Sequence, residues 1–301
     1  MNCLSHRRGY INRVKRLQLL GLFWLLTGSL VHAQVTVEIT PAQEQFLPGE
    51  PLKVAVRIIN LSGQTLNLGA DADWLKFGIE SREKFVVSEL RKPDVQGEFT
   101  LESSKAAIKR VDLQPSFDLT RTGHYFVSAT VKIKEWGQDF SSRPATFDII
   151  QGAKLWQQEF GLPPKSGQST QTPEVRKYAL QQANYLKQLK LYLQITDATE
   201  SRIIKVFPIG GMISFSRPEP QLDAQSNLHV LWQVGARAFA YRVITPDGEV
   251  IIRRTYDYIG SRPRLATSED GSVVVQGGVR HETADDLPSR ETPPPTTPPA
   301  P

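Results

Sequence analysis

Alternation constrains this chain more than any other feature. Leu52, Val54, Val56 and Ile58 alternate with Lys53, Ala55 and Arg57, and Tyr125, Val127, Ala129, Val131 and Ile133 alternate with His124, Phe126, Ser128, Thr130 and Lys132. A period of two places one set of side chains on one face of a strand and the other set on the opposite face. Ala145, Phe147 and Ile149 repeat the pattern, and shorter candidates lie at Val35–Thr40, Leu66–Leu68, Leu75–Ser81, Phe85–Glu89, Gly97–Glu102 and Ala107–Leu113. Turn signals separate them, notably Pro48-Gly49-Glu50-Pro51, Ser62-Gly63 and Thr122-Gly123. About seven to nine short strands over residues 34–151 predict an antiparallel two-sheet sandwich.

That sandwich must cohere without sulfur. The only cysteine, Cys3, sits in a leader that is expected to be removed. Met1–Arg16 is basic, Leu17–Val31 is apolar, and Val31-His32-Ala33 offers small or modest residues at the positions a signal peptidase reads. Residues 1–33 therefore read as a secretory signal peptide, since an apolar run of about 15 residues falls short of the roughly 20 needed to span a bilayer. Arg7-Arg8-Gly9-Tyr10-Ile11 is faintly similar to a twin-arginine export signal, and ordinary n-region charge is the favoured reading. The expected product is exported, periplasmic or extracellular, with no transmembrane span after cleavage. The leader also accounts for the charge. Its five bases (Arg7, Arg8, Arg13, Lys15 and Arg16) and lack of acids make up the whole formal charge of +5. The remainder is neutral, which argues against a nucleic-acid partner.

The second strand and a later corner carry a resemblance. Leu47-Pro48-Gly49-Glu50-Pro51-Leu52-Lys53-Val54-Ala55-Val56-Arg57-Ile58-Ile59-Asn60 resembles the second strand of bacterial immunoglobulin-like and fibronectin-III-like modules. Gly123-His124-Tyr125-Phe126-Val127 resembles their tyrosine corner, in which a Tyr hydroxyl bonds back to nearby backbone. Val127 stands where antibody domains carry their second cysteine, so the likeness is to the cysteine-free branch. It covers residues 34–151 and implies a spacer or binding platform rather than chemistry.

Residues 152–190 read as a connector. Lys165–Thr172 is polar, and Thr172 with Pro173 and Glu174 suits a helix start. Val175, Tyr178, Ala179, Ala183, Leu186 and Leu189 fall roughly on one helical face, so a helix is expected over 173–189; the alternative is a strand pair turning at Ala183-Asn184.

An internal repeat organises residues 191–281. Ser216-Arg217-Pro218 recurs as Ser261-Arg262-Pro263, and Asn227–Arg237 aligns with Asp270–Arg280. Upstream, Leu191–Thr196 returns through Arg202–Ile209, and Phe239–Thr245 returns through Glu249–Tyr258. The units, 191–237 and 238–280, each resemble one blade of a β-propeller and the repeats of uncharacterised secreted bacterial proteins. Two units are too few to close a monomeric propeller unless Lys154–Leu189 hides another. Residues 282–301, rich in proline at the end, read as a disordered tail.

Chemistry is sparse. After the leader only His124, His229 and His281 remain, too scattered for a metal motif, and no metal or other cofactor is expected. Asp71-Ala72-Asp73 supplies two carboxylates but lacks a third ligand, so it reads as a solvated loop. His124 is expected to point outward, and His229 to be a hydrogen-bonded structural residue without a catalytic partner. Trp136 and Phe140 sit in a predicted loop, where two aromatics suit a sugar ring or a partner's groove. The preferred reading folds Trp136 back over the sheet edge or docks it against the second domain. Arg217, Arg237, Arg262 and Arg280 recur at matching places in the two units, where they grip an anion or, as preferred here, lock one unit to the next. The function expected is a non-enzymatic binding or scaffold protein of the envelope or exterior, with protein or glycan as ligand. The alternative is a carbohydrate-active hydrolase with acids in the repeat domain.

Overall fold

The computed structural model describes residues 35–162 and 174–288. The leader, the connector's polar stretch with its Thr172-Pro173 helix start, and the proline-rich end from residue 289 lie outside the described residues. Within those residues the chain is mainly β, in several antiparallel sheets, none closed into a barrel. No described helix is long and apolar enough to cross a membrane.

Ten strands form the first half: β1 (Val35–Pro41), β2 (Gln45–Phe46), β3 (Lys53–Asn60), β4 (Leu66–Leu68), β5 (Leu75–Ser81), β6 (Phe99–Leu101), β7 (Ala106–Asp112), β8 (Gly123–Ile133), β9 (Gln138–Ser141) and β10 (Ala145–Ile149). One sheet has the order β1-β3-β7 and another β2-β10-β8-β5, with β9 pairing the far end of β8; β4 and β6 make a small ribbon. The pairings are antiparallel except β2 with β10. The alternating residues do what their period requires. Leu52, Val54, Val56 and Ile58 are buried in one core with Tyr125, Val127, Val131 and Phe147 of the opposite sheet. Each such apolar side chain contributes about 1.5–3 kcal/mol of transfer free energy. The Tyr125 hydroxyl donates to the Arg121 carbonyl at 2.6 Å, closing the corner at the start of β8. Phe85–Glu89 is not a strand. Val86 is exposed, and the segment makes only scattered bonds to residues 116–118, such as Asp118 N to Ser88 O, beside a 3-10 turn that begins at Gln114-Pro115.

The described residues of the second half contain eleven strands: β11 (Ala153–Gly161), β12 (Val175–Tyr185), β13 (Gln188–Asp197), β14 (Ile203–Gly211), β15 (Glu219–Leu222), β16 (Leu228–Gln233), β17 (Ala238–Ile244), β18 (Val250–Asp257), β19 (Arg264–Thr267), β20 (Val273–Gln276) and β21 (Val279–His281). The helix expected over 173–189 is absent. Val175–Tyr185 is a strand held between β11 and β13 in a four-stranded meander, β11-β12-β13-β14. Two neighbours satisfy its backbone and both its faces are covered, so Tyr178, Ala179 and Leu180 are buried in succession, a run that period alone does not separate from a buried helix. Val175 and Leu186, assigned to the helical face, are exposed. The strand pair does form, but it turns at Leu186-Lys187 rather than Ala183-Asn184, with Tyr185 opposite Gln188 and Leu186 at φ 54°. A boundary at 190/191 therefore cuts through β13, whose hairpin partner lies on the connector side.

The repeat has a physical meaning in this arrangement. Ser216-Arg217-Pro218 leads into β15, the first strand of the five-stranded sheet β15-β16-β17-β18-β21, and Ser261-Arg262-Pro263 leads into β19 of the two-stranded sheet β19-β20. The three sheets stack. Tyr178, Leu180, Leu193 and Ile195 pack on Leu228, Val230 and Trp232, while Leu231, Tyr241 and Val243 on the opposite face meet Leu265 and Val275. Strand β16 lies between two cores, so Leu228 to Trp232 are all buried. The outer face of the meander meets the first half, where Leu47 packs with Ala183, Tyr192 and Val206. Glu50 is buried beside this junction, accepting from Gln43 Nε2 (2.7 Å) and Leu47 N (2.9 Å). Burial pushes its carboxyl up against those two bonds and the charge of Lys190, which act to lower it.

Candidate functional site

The first sheet ends on β1, which pairs with β3 and with no other described strand. Ala42 N donates to Lys53 O at 2.8 Å, and this fixes the hydrogen-bonding parity. Thr36, Glu38 and Thr40 turn their backbone groups toward β3, while Val35, Val37 and Ile39 turn theirs away from the sheet. Pro41, which has no N–H to offer, falls on the outward parity, where a sheet tolerates proline. The side chains of Val35, Val37 and Ile39 are in the core, so this edge presents backbone without bulky cover.

A groove of about 670 Å³ runs beside it, lined by Val35–Ile39 on one side and by Asp139–Ser141 and Arg143–Ala145 on the other. The far wall is also an edge. Lys132 N donates to Trp74 O at 2.8 Å and Ser142 N to Ala129 O at 2.8 Å, so alternate residues of β8 serve β5 and β9 in turn. By the same parity, Asp139 and Ser141 direct their backbone groups away from β8. Two strand edges from two sheets therefore border one groove. An extended chain, with donors and acceptors repeating about every 7 Å along one side, is the chemistry that matches such an edge.

Phe140 belongs to this groove, although it lies on strand β9 rather than in a loop. It stands opposite Val131 and packs, half-buried, on the core, edge-on to Trp136 at 6.0 Å between ring centroids. Trp136 ends a 3-10 turn over Lys134–Trp136 and also packs on the core, so its ring is folded against the sheet.

The four repeated arginines are engaged in different ways. Arg237 Nε donates to Tyr258 O (3.3 Å), Arg262 lies 5.2 Å from the Phe239 ring centroid, and Arg280 pairs with Asp286 (2.9 Å); Arg217 is exposed on the approach to β15. Three of them thus hold neighbouring segments of the same chain.

His229 has the partners that the sequence did not identify. Its Nδ1 is 2.7 Å from the Tyr241 hydroxyl and its Nε2 is 3.2 Å from Asp223 Oδ2; His229 and Tyr241 are buried and Asp223 is half-buried. Burial pushes Asp223 up, but the side chain and amide of Asn227, and then His229, outweigh it and hold the carboxyl below its usual range. Burial pushes the Tyr241 hydroxyl up to about 12. His124 lies opposite Asp148 across β8 and β10, with Nδ1 2.5 Å from the carboxylate. Asp71 and Asp73 are paired with Lys134 (3.2 Å) and Lys92 (2.6 Å), and no cluster of three metal-ligating side chains occurs among the described residues.

A scan against protein families found no match, and neither did a search of curated proteins. The outward backbone of Val35, Val37 and Ile39 was missed in the sequence because edge status depends on topology. Pro41 was the available signal.

Proposed function

We propose that this protein is an exported binding module of the bacterial envelope or exterior that holds an extended segment of a partner protein along β1. The observation that carries this reading is the outward row of Val35, Val37 and Ile39 backbone groups bordering the groove beside Phe140. Strand addition draws affinity from main-chain bonds and selectivity from alternate side chains, which here would meet Phe140 and Ala145. A protein ligand is favoured over a glycan because a sugar offers no such regular row of donors and acceptors. The leader supports export. The Tyr125 corner supports kinship with cysteine-free immunoglobulin-like and fibronectin-III-like modules, and the stacked antiparallel sheets support the blade-like reading of the repeat.

The test places a photo-cross-linking phenylalanine analogue at position 140 of the exported protein and, as a control, at exposed Leu61. The segment captured at position 140 is then synthesised as a peptide. It should slow hydrogen exchange at the Val37 and Ile39 amides. Ser141→Pro removes one outward N–H without breaking a ladder bond and should weaken the peptide several-fold. Equal cross-linking at both positions, or a bound peptide that leaves those amides exchanging freely, refutes the reading.

A further inference from the structure

A second cleft, of about 420 Å³, opens between the four-stranded and five-stranded sheets. One wall is the end of β14. The pairing of β13 with β14 slips there, with Leu191 opposite Gly210 and Tyr192 opposite Pro208, so Ile209 is an extra residue and the strand end bends. Gly210 then passes so close to Trp232 that a Cβ would stand 2.8 Å from its ring, and Trp232 Nε1 donates to Gly211 O at 2.8 Å. This wall is backbone and apolar side chain.

The other wall is cationic. Arg242 and Arg253 are direct cross-strand partners on β17 and β18, and both line the cleft. Like charges directly opposite on an antiparallel pair destabilise the sheet. Arg242 is half-buried. Its Nη1 donates to Tyr241 O (2.9 Å) and Arg254 O (3.2 Å), and its guanidinium carbon lies 5.5 Å from the Trp232 ring centroid, which fixes its orientation. Burial, and next the charge of Arg253, lower its pKa to about 10. Lys190 also borders the cleft, but it shares the face of its cross-strand partner Ala183, and its ammonium is seated 3.5 Å above the Tyr185 ring and acts on Glu50, so its charge is already engaged. No Asp or Glu lines the cleft. The acids that act on Arg242, Asp285 and Asp286, belong to the C-terminal segment, and Asp286 is already bonded to Arg280 and Thr283.

We propose that this cleft binds a phosphate dianion, gripped by Arg242 and Arg253. Two paired guanidinium groups on an opening lined by no carboxylate favour a dianion over a monocarboxylate, and their forks match phosphate oxygens bidentately. The volume lies within the range of small-molecule sites, about 300–1,000 Å³, so the phosphate is either free or carried on a small organic body. The site is separate from the β1 groove and stands whether or not a peptide binds there.

Calorimetry and thermal melts with glucose 6-phosphate, inorganic phosphate and glucose test it. Both phosphates should bind and raise the melting temperature, more weakly as sodium chloride is added, and glucose should do neither. Tighter binding of glucose 6-phosphate assigns a phosphate monoester, whereas equal or tighter binding of inorganic phosphate assigns the free ion. Arg253→Gln should weaken binding about tenfold or more. It should also raise the melting temperature of the ligand-free protein, because it relieves the like-charge pair. A merely structural arginine would instead lower it. Lys190→Gln, which removes an ammonium turned to Tyr185 and Glu50, is the control and should bind phosphate as the parent does. The proposal is overturned if neither phosphate shifts the melt, or if Arg253→Gln binds phosphate as the parent does.

Discussion

Tyr125→Phe isolates the corner hydroxyl from everything else that Tyr125 does. The side chain is fully buried, its ring stacked on Phe147 (5.3 Å between centroids, 12° between planes) and edge-on to Phe85 at 5.7 Å. Phenylalanine keeps those contacts and removes only the bond to Arg121 O. A hydrogen bond of this kind contributes about 1 kcal/mol net, and up to about 3 kcal/mol when its deserted partner stays dry. Arg121 is exposed, so water can reach its carbonyl, and the expected loss is about 1 kcal/mol. Tyr125→Ala, by contrast, should cost about 3–5 kcal/mol through the cavity it leaves. Native-state hydrogen exchange at the β8 amides measures both losses in the first half of the chain, independently of how the second half unfolds. A Tyr125→Phe loss below about 0.3 kcal/mol would show that the corner bond has no net value, and a loss as large as that of alanine would show that the ring, too, had been displaced.

Two further outcomes follow from the structure. Asp223 has its carboxyl held below the usual range, so its stabilisation is present above the ordinary carboxylate pKa and is lost as pH falls through its folded value. Asp223→Asn should therefore flatten the acid limb of melting temperature against pH, and an unchanged limb would remove Asp223 from that role. Gly69 has φ +90°, and a Cβ there would stand 2.1 Å from the Gly97 carbonyl oxygen, so Gly69→Ala should cost about 3 kcal/mol or more. A thermal melt within a degree of the parent would contradict that approach.

How much of this was legible in the sequence depended on whether a strand had one covered face or two. Strands β3 and β8 each have one, and their alternation marks them out residue by residue. Strand β12 has two, and its run through Tyr178, Ala179 and Leu180 carried no period to separate strand from helix. Its turn gave no help either, because Leu186-Lys187 is not a glycine or asparagine turn and Leu186 takes its positive φ without such a signal. The Ser-Arg-Pro repeat did mark real structural starts, those of β15 and β19, but only the pairing shows that the sheet boundary falls inside the first unit.

The two candidate sites were hidden for a related reason: each is a property of pairing. Arg242 and Arg253 look unremarkable one at a time, and the turn, which pairs Thr245 with Glu249 and Ile244 with Val250, would by itself set Arg242 opposite Ile252. The bulge that leaves Ile251 unpaired shifts the register by one and brings Arg253 opposite Arg242. Strand β18 is in turn secured at that position by the C-terminal segment, since Arg253 exchanges both backbone bonds with Leu287 at 3.1 and 3.0 Å. Backbone and side chain therefore act separately at residue 253. The first is held by Leu287, and the second borders a cleft that no carboxylate lines. A glutamine there keeps the backbone pairing and removes the charge, which is why its melting temperature and its phosphate affinity should move in opposite directions.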